Sequence, residues 1–141
     1  MAIKQLSVFL ENRKGRLQAI VQLLGNAGIN ISAISVADTA EFGIIRLIVD
    51  KVALAEKTLK ENGVVFHIND VIAIQIGTTP GSLAQVLAKL NDTNINVEYM
   101  YTLAEPHSDK AVLILRFSDP AAAQEKLQGV PLLTEKDLGI E

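Results

Sequence analysis

The chain has 141 residues, of which 49% are hydrophobic and only 4% aromatic, with a formal net charge of -3. That length holds one ordinary domain or two small ones, and the apolar fraction supplies an aliphatic core that a disordered chain lacks. The acidic balance disfavours nucleic acid or an anionic membrane as the main partner, and the lack of cysteine excludes disulfides and thiolate metal sites.

No apolar run approaches the roughly 18 residues that span a bilayer. The first residues pass straight into strand-like alternation with no secretory pattern, so a soluble cytoplasmic protein is expected. Leu6, Val8 and Leu10 alternate with Ser7 and Phe9 as a first strand. After the polar residues 11–14 comes Gly15, then Leu17, Ile20, Val21 and Leu24 at helical spacing. Gly25, Asn26 and Gly28 should end this helix. A second strand is expected over 29–38, with a bulge near Ala33 and Ile34 where the alternation shifts. A turn over 39–43 leads to a third strand over 44–49. Its nearly continuous apolar character points to burial on both faces or a subunit contact. A second helix follows over 51–62 with Ala55 and Leu59 inward, and then a fourth strand over 64–68.

The pattern then restarts. Ile72, Ile74 and Ile76 stand 66 positions after Leu6, Val8 and Leu10, and Leu83, Val86, Leu87 and Leu90 repeat the helix stripe. Ile95-Asn96-Val97 repeats Ile29-Asn30-Ile31. Farther on the offset is 68, matching Leu47 with Leu115, Ala55 with Ala123 and Leu59 with Leu127. A two-residue insertion therefore falls near 105–109, in loop-like sequence. Asp119-Pro120 reads as a helix N-cap followed by proline at the first helical position. A last strand over 130–134 is shortened by Pro131, and 135–141 is a polar tail without periodicity. Two domains, 1–69 and 70–141, are expected to pack closely, since only Asn69-Asp70 separates the copies.

Each copy carries a glycine corner between its first strand and first helix: Asn12-Arg13-Lys14-Gly15-Arg16-Leu17, and Thr78-Thr79-Pro80-Gly81-Ser82-Leu83. Amides at a helix start are unpaired and partly positive, so a small carboxylate can sit there. With the Gly-Ile-Asn-Ile element at Gly28 and its counterpart Asn94-Ile95-Asn96-Val97, these corners resemble the ACT domain, a small regulatory module that binds amino acids. The resemblance covers about residues 3–135. It implies an α+β fold of two ferredoxin-like βαββαβ repeats, tandem ACT domains with antiparallel sheets packed together.

The resemblance also implies where a ligand would lie, between the corner of one domain and the second-strand start of its neighbour. One site would combine Asn12, Arg13, Lys14, Gly15, Arg16 and Leu17 with Asn96 and Val97. Its pseudo-symmetric partner would combine Thr79, Pro80, Gly81, Ser82 and Leu83 with Asn30, Ile31 and Ser32. The pattern's Asp is replaced by Asn12 and Thr78, its Pro by Lys14, and one Gly by Asn94.

Plainer readings stand beside these. The glycines also suit a turn, the asparagines also suit local backbone bonding, and Arg13, Lys14 and Arg16 also suit a solvated surface. His67 and His107 have no metal-ligand spacing, and Tyr99 and Tyr101 suit core or interface better than base stacking. No nucleophile triad, carboxylate pair or phosphate cradle stands out. The expected function is therefore non-enzymatic, with no cofactor or metal. It is a regulatory protein binding a free amino acid between two domains, with a homodimer formed through the apolar third strand. The alternatives are a structural dimerisation module without ligand, and an acylphosphatase-like hydrolase on the same fold.

Overall fold

The computed structural model describes residues 2–11, 13–38, 42–104 and 109–141. Their elements run β1 (Ile3–Glu11), α1 (Arg16–Asn26), β2 (Ile31–Asp38), β3 (Phe42–Val49), α2 (Val52–Glu61), β4 (Phe66–Gly77), α3 (Ser82–Ala88), β5 (Val97–Ala104), β6 (Lys110–Phe117), α4 (Pro120–Lys126) and β7 (Leu132–Leu133). A short 3-10 turn, Lys136–Leu138, follows. This is βαββαβ twice, the tandem ferredoxin-like arrangement. Among the described residues, no helix is long and apolar enough to cross a membrane.

The chain divides into two compact units. One holds Lys4–Asn69 with Glu135–Glu141, the other Met1–Ile3 with Asp70–Thr134. In the first, the strand order is β2-β3-β1-β4. β1 pairs antiparallel with β3, Leu6 opposite Leu47 and Leu10 opposite Gly43. β2 pairs antiparallel with β3, with an irregularity between Ile31 and Ala33, close to the expected bulge. On the other flank of β1, the Phe9 amide donates to Val65 O at 3.0 Å. In the second unit, β6 lies between β4 and β5, and β7 pairs with β4.

Period-two apolar positions of the strands and period-3.6 positions of the helices converge in each unit. The first core is built from Leu6, Val8 and Leu10, Ile20 and Leu24, Ile45, Leu47 and Val49, and Ala55 and Leu59, with Ile29. The second uses Ile72 and Ile74, Val86 and Leu90, Leu113, Leu115 and Phe117, and Ala123 and Leu127. Every member of the second set has its counterpart in the first at the offsets seen in the sequence, while Leu10 and Ile29 correspond to the half-buried Ile76 and Ile95. The Asp119 carboxylate accepts from Ala122 N at 3.1 Å with Pro120 at the helix start, as its residue types dictate.

Three expectations need correction. The strand expected over 64–68 and the one expected at 72–76 are one element, β4, because nothing at Asn69-Asp70 breaks an extended backbone. Gly25 does not end α1; it lies inside it, and Ile29 N reaches back to Leu24 O at 3.1 Å. Leu17 is not an inner residue but 40% exposed, since the packed stripe of α1 begins one turn later at Ile20. The insertion around 105–108 lies outside the described residues.

Leu47→Ala and Leu115→Ala should each destabilise their unit by about 2–5 kcal/mol, because both side chains are fully enclosed. Val65→Ala, at a 64% exposed position, should change stability by no more than about 0.5 kcal/mol. Urea unfolding midpoints of the three variants check both statements.

Candidate ligand site

The first corner is built by four backbone features. Arg13 N donates to Glu11 O (2.8 Å) and Arg16 N to Arg13 O (3.3 Å), which folds the chain back after β1. Gly15 then takes φ 89° and ψ -8°, a left-handed conformation, and its carbonyl accepts the first helical bond from Ala19 N at 3.0 Å. No side chain caps this helix start. The Leu17 and Gln18 amides consequently find no acceptor among the described residues, leaving donors for an outside acceptor. Asn12, expected at this site, lies outside the described residues.

The second corner repeats the geometry. Ser82 N donates to Thr79 O (3.2 Å), Gly81 has φ 84° and ψ -4°, and Gln85 N donates to Gly81 O (3.0 Å). Lys14 in one corner and Pro80 in the other therefore give the same turn. The Thr79 and Ser82 hydroxyls lie 2.7 Å apart, and the Thr78 amide and hydroxyl both donate to Asp109 O. Beyond the adjacent residues and the helix's own backbone, no described atom comes within 4 Å of where a Cβ on Gly15 or Gly81 would stand, so both corners are open.

The openings of β2 and β5 also match each other. Asn30 N donates to Asp50 Oδ1 (2.9 Å) while Asp50 N donates to Asn30 O (3.1 Å). Asn96 N donates to Ser118 Oγ (2.9 Å) while Ser118 N donates to Asn96 O (2.9 Å). It is the backbone that makes the local bonds here. The two amide side chains are exposed and bond to none of the described residues. Ser32 differs: its hydroxyl donates to Leu138 O at 3.3 Å, and Glu141 N donates to Asp50 O at 2.7 Å with Ile140 buried. Residues 135–141 thus lie along the opening of β2, a placement no periodicity in that polar tail announced.

Within one unit the corner and the strand opening do not meet. Leu10, beside the first corner, pairs with Gly43 at the start of β3, while Ile31 pairs with Val49 at its end. In the second unit Ile76 pairs with Ala111, and Val97 with Phe117, again at opposite ends of a strand. A site made from both kinds of element therefore requires two repeats.

Beside the first corner the structure adds a cavity of about 460 Å³ that the sequence did not disclose, lined in part by Phe9, Arg16, Phe42 and Val65. At the second corner a cavity of about 390 Å³ is bounded by Thr79, Gly81, Ser82, Leu83, Thr102 and Leu113. Arg13 Nε lies 2.9 Å from Glu11 Oε2, but both side chains are exposed and the pair contributes little. His67 is exposed and sits edge-on to Phe9, 5.3 Å between ring centres. Among the described residues, no group of three or more His, Asp or Glu is placed to hold a metal.

Two uncapped glycine corners on duplicated βαββαβ units are the features that comparison with known proteins can test, and the chain matches the ACT domain pair over residues 1–139. It belongs to that family. An ACT domain pair is a regulatory module. The chain is similar to a protein from Bacteroides thetaiotaomicron of known crystal structure, with 40% identity, TM-score 0.91, and coverage of 99% of this chain and 96% of that one. It also resembles in fold the ligand-free regulatory subunit of aspartate kinase from Thermus thermophilus, with 18% identity, TM-score 0.63, and coverage of 88% and 89%. The regulatory subunit from Thermus flavus is comparable, with 18% identity, TM-score 0.61, and coverage of 88% and 86%. No curated protein matches the chain.

Gly15, just before α1, and Gly25, inside it, separate conformational need from space. Gly15→Ala should destabilise by about 1–2 kcal/mol because its φ is left-handed although its surroundings are open. Gly25→Ala, inside the helix with equally open surroundings, should stabilise by about 0.5–1 kcal/mol. Thermal unfolding of the two variants measures the contrast.

Proposed function

We propose that this ACT domain pair is a small-molecule-binding regulatory protein whose ligand is a free amino acid. The observation that carries the reading is the pair of open, uncapped glycine corners, φ 89° and 84°, each offering main-chain donors to a carboxylate. The ligand lies between repeats. The proposed sites combine Asn12 and Arg13–Leu17 of the first repeat (1–69) with Asn96 and Val97 of the second (70–141), and Thr79–Leu83 with Asn30–Ser32. The asparagine amides, exposed and uncommitted, accept from the ligand's ammonium or donate to its carboxylate. The two sites are unequal, because the Ser32 hydroxyl is already bonded to the C-terminal segment.

The protein is regulatory rather than catalytic, works in the cytoplasm and assembles as a homodimer. β3, expected to carry the subunit contact, is paired on both edges and largely buried within its own unit; edge strand β2, with Ile34 45% and Val36 55% exposed, provides the apolar contact for a second copy instead. If no amino acid binds, that same edge favours the dimerisation-module reading.

Binding to the folded state raises the unfolding temperature with ligand concentration. A thermal-shift panel of the twenty amino acids should give a rise of about 2–4 °C for at least one of them at saturating concentration. Asn96→Ala should reduce or abolish that rise without altering the unliganded melting temperature, since its exposed side chain bonds to none of the described residues. A flat panel would sink the ligand reading. Light scattering at micromolar concentration should return twice the 15.2 kDa chain mass; a monomer mass would remove the dimer.

A further inference from the structure

The cavity beside the first corner has a composition that its position in the fold does not require. Phe9, Leu10, Phe42, Val64 and Val65 give it apolar walls, and Arg16 contributes a guanidinium. Arg16 Nε is buried and has no hydrogen-bond partner among the described residues. A buried donor left without an acceptor is costly, more so when it belongs to a cation, and such groups are rare in native structures. Phe42 and Val65 are 55% and 64% exposed, an apolar surface around the same hollow. Its volume of about 460 Å³ lies within the roughly 300–1,000 Å³ range of small-molecule pockets.

The duplication supplies an internal control. The equivalent hollow in the second repeat is lined in part by Gln75, Ile76, Ser82, Lys89, Val130 and Pro131, and its volume is about 240 Å³. There Gln75 stands for Phe9 and Ser82 for Arg16, as the offset of 66 dictates. The backbone match is close, since Gln75 N donates to Pro131 O at 3.0 Å as Phe9 N donates to Val65 O at 3.0 Å. At the register position of Phe42, opposite Gly77, the second repeat has Lys110. A side-chain set required to turn strand into helix would recur in both repeats. The guanidinium and the aromatic walls occur in one; the other hollow has Lys89 and no aromatic side chain among its lining residues.

We infer that the cavity of the first repeat is a binding site for a small organic carboxylate with a branched or aromatic apolar body, its carboxylate on Arg16 and its body against Phe9, Phe42 and Val65. The planar guanidinium lining the cavity fits a carboxylate through charge-assisted hydrogen bonds. Glu11 at the rim, held by Arg13, disfavours ligands carrying several negative charges. The ligand is an amino acid or the corresponding acid without its amino group; Glu11 is the acceptor available to an ammonium. The site shares Arg16 with the two-repeat reading, but all its lining residues belong to the first repeat.

Titration calorimetry on the full chain, with phenylalanine, leucine, 3-phenylpropionate and 4-methylpentanoate and their amides as controls, tests the inference. At least one carboxylate should bind and its amide should not. Arg16→Gln and, separately, Val65→Glu at its exposed position should each weaken binding by about tenfold or more while circular dichroism stays native. Binding by both ligand types means the ammonium is unused; binding by amino acids alone names the source, and either supports the site. Binding that is lost in Asn96→Ala yet unchanged in Arg16→Gln and Val65→Glu overturns the cavity and leaves the two-repeat reading standing. No binding by any of the four carboxylates overturns it outright.

Discussion

At both corners the backbone passes from strand to helix through one glycine held in the left-handed region. A residue with a Cβ resists that conformation, so the sequence must spend a glycine there. The same geometry starts the helix without a side-chain cap, since glycine has none to give. Unpaired amides at an open corner follow directly from how the chain turns, and the candidate ligand chemistry depends on them. Nothing in the packing fills the space, because each glycine points to solvent.

Behind the corners the two repeats solve one packing problem in the same way. Leu6, Val8, Ile20, Leu24, Leu47, Ala55 and Leu59 find counterparts in Ile72, Ile74, Val86, Leu90, Leu115, Ala123 and Leu127. Enclosed aliphatic positions tolerate exchange only for side chains of similar volume, so the repeat stays visible there. At the hollow beside the corner, packing imposes no such restriction. There Phe9 and Arg16 correspond to Gln75 and Ser82, and the two repeats differ in what they can hold.

The opening of β2 is tied down twice. Asp50 bonds reciprocally with Asn30 and also accepts from Glu141 N, while Ser32 reaches Leu138 O. The matching end of β5 is held by Ser118 alone of these arrangements, through its hydroxyl and amide. Two elements that look alike in sequence thus offer different exposed groups.

The sequence alone was sufficient for the order of strands and helices, the duplication, the inward faces apart from Leu17, and the two glycine corners. Each of these is written in local spacing, by period two, period 3.6, or a conformational need of single residues. The fusion of two expected strands into β4 was missed because a polar Asn-Asp pair reads as a connection although both residues sit comfortably in extended backbone. The exposure of Leu17 was missed because helical spacing does not say where along a helix its packing begins. The cavity at Arg16, the docking of residues 135–141 beside Ser32 and Asp50, and the separation of corner from strand opening within each unit belong to tertiary structure. They depend on strand register, which brings together residues such as Phe9, Phe42 and Val65 that no local period connects.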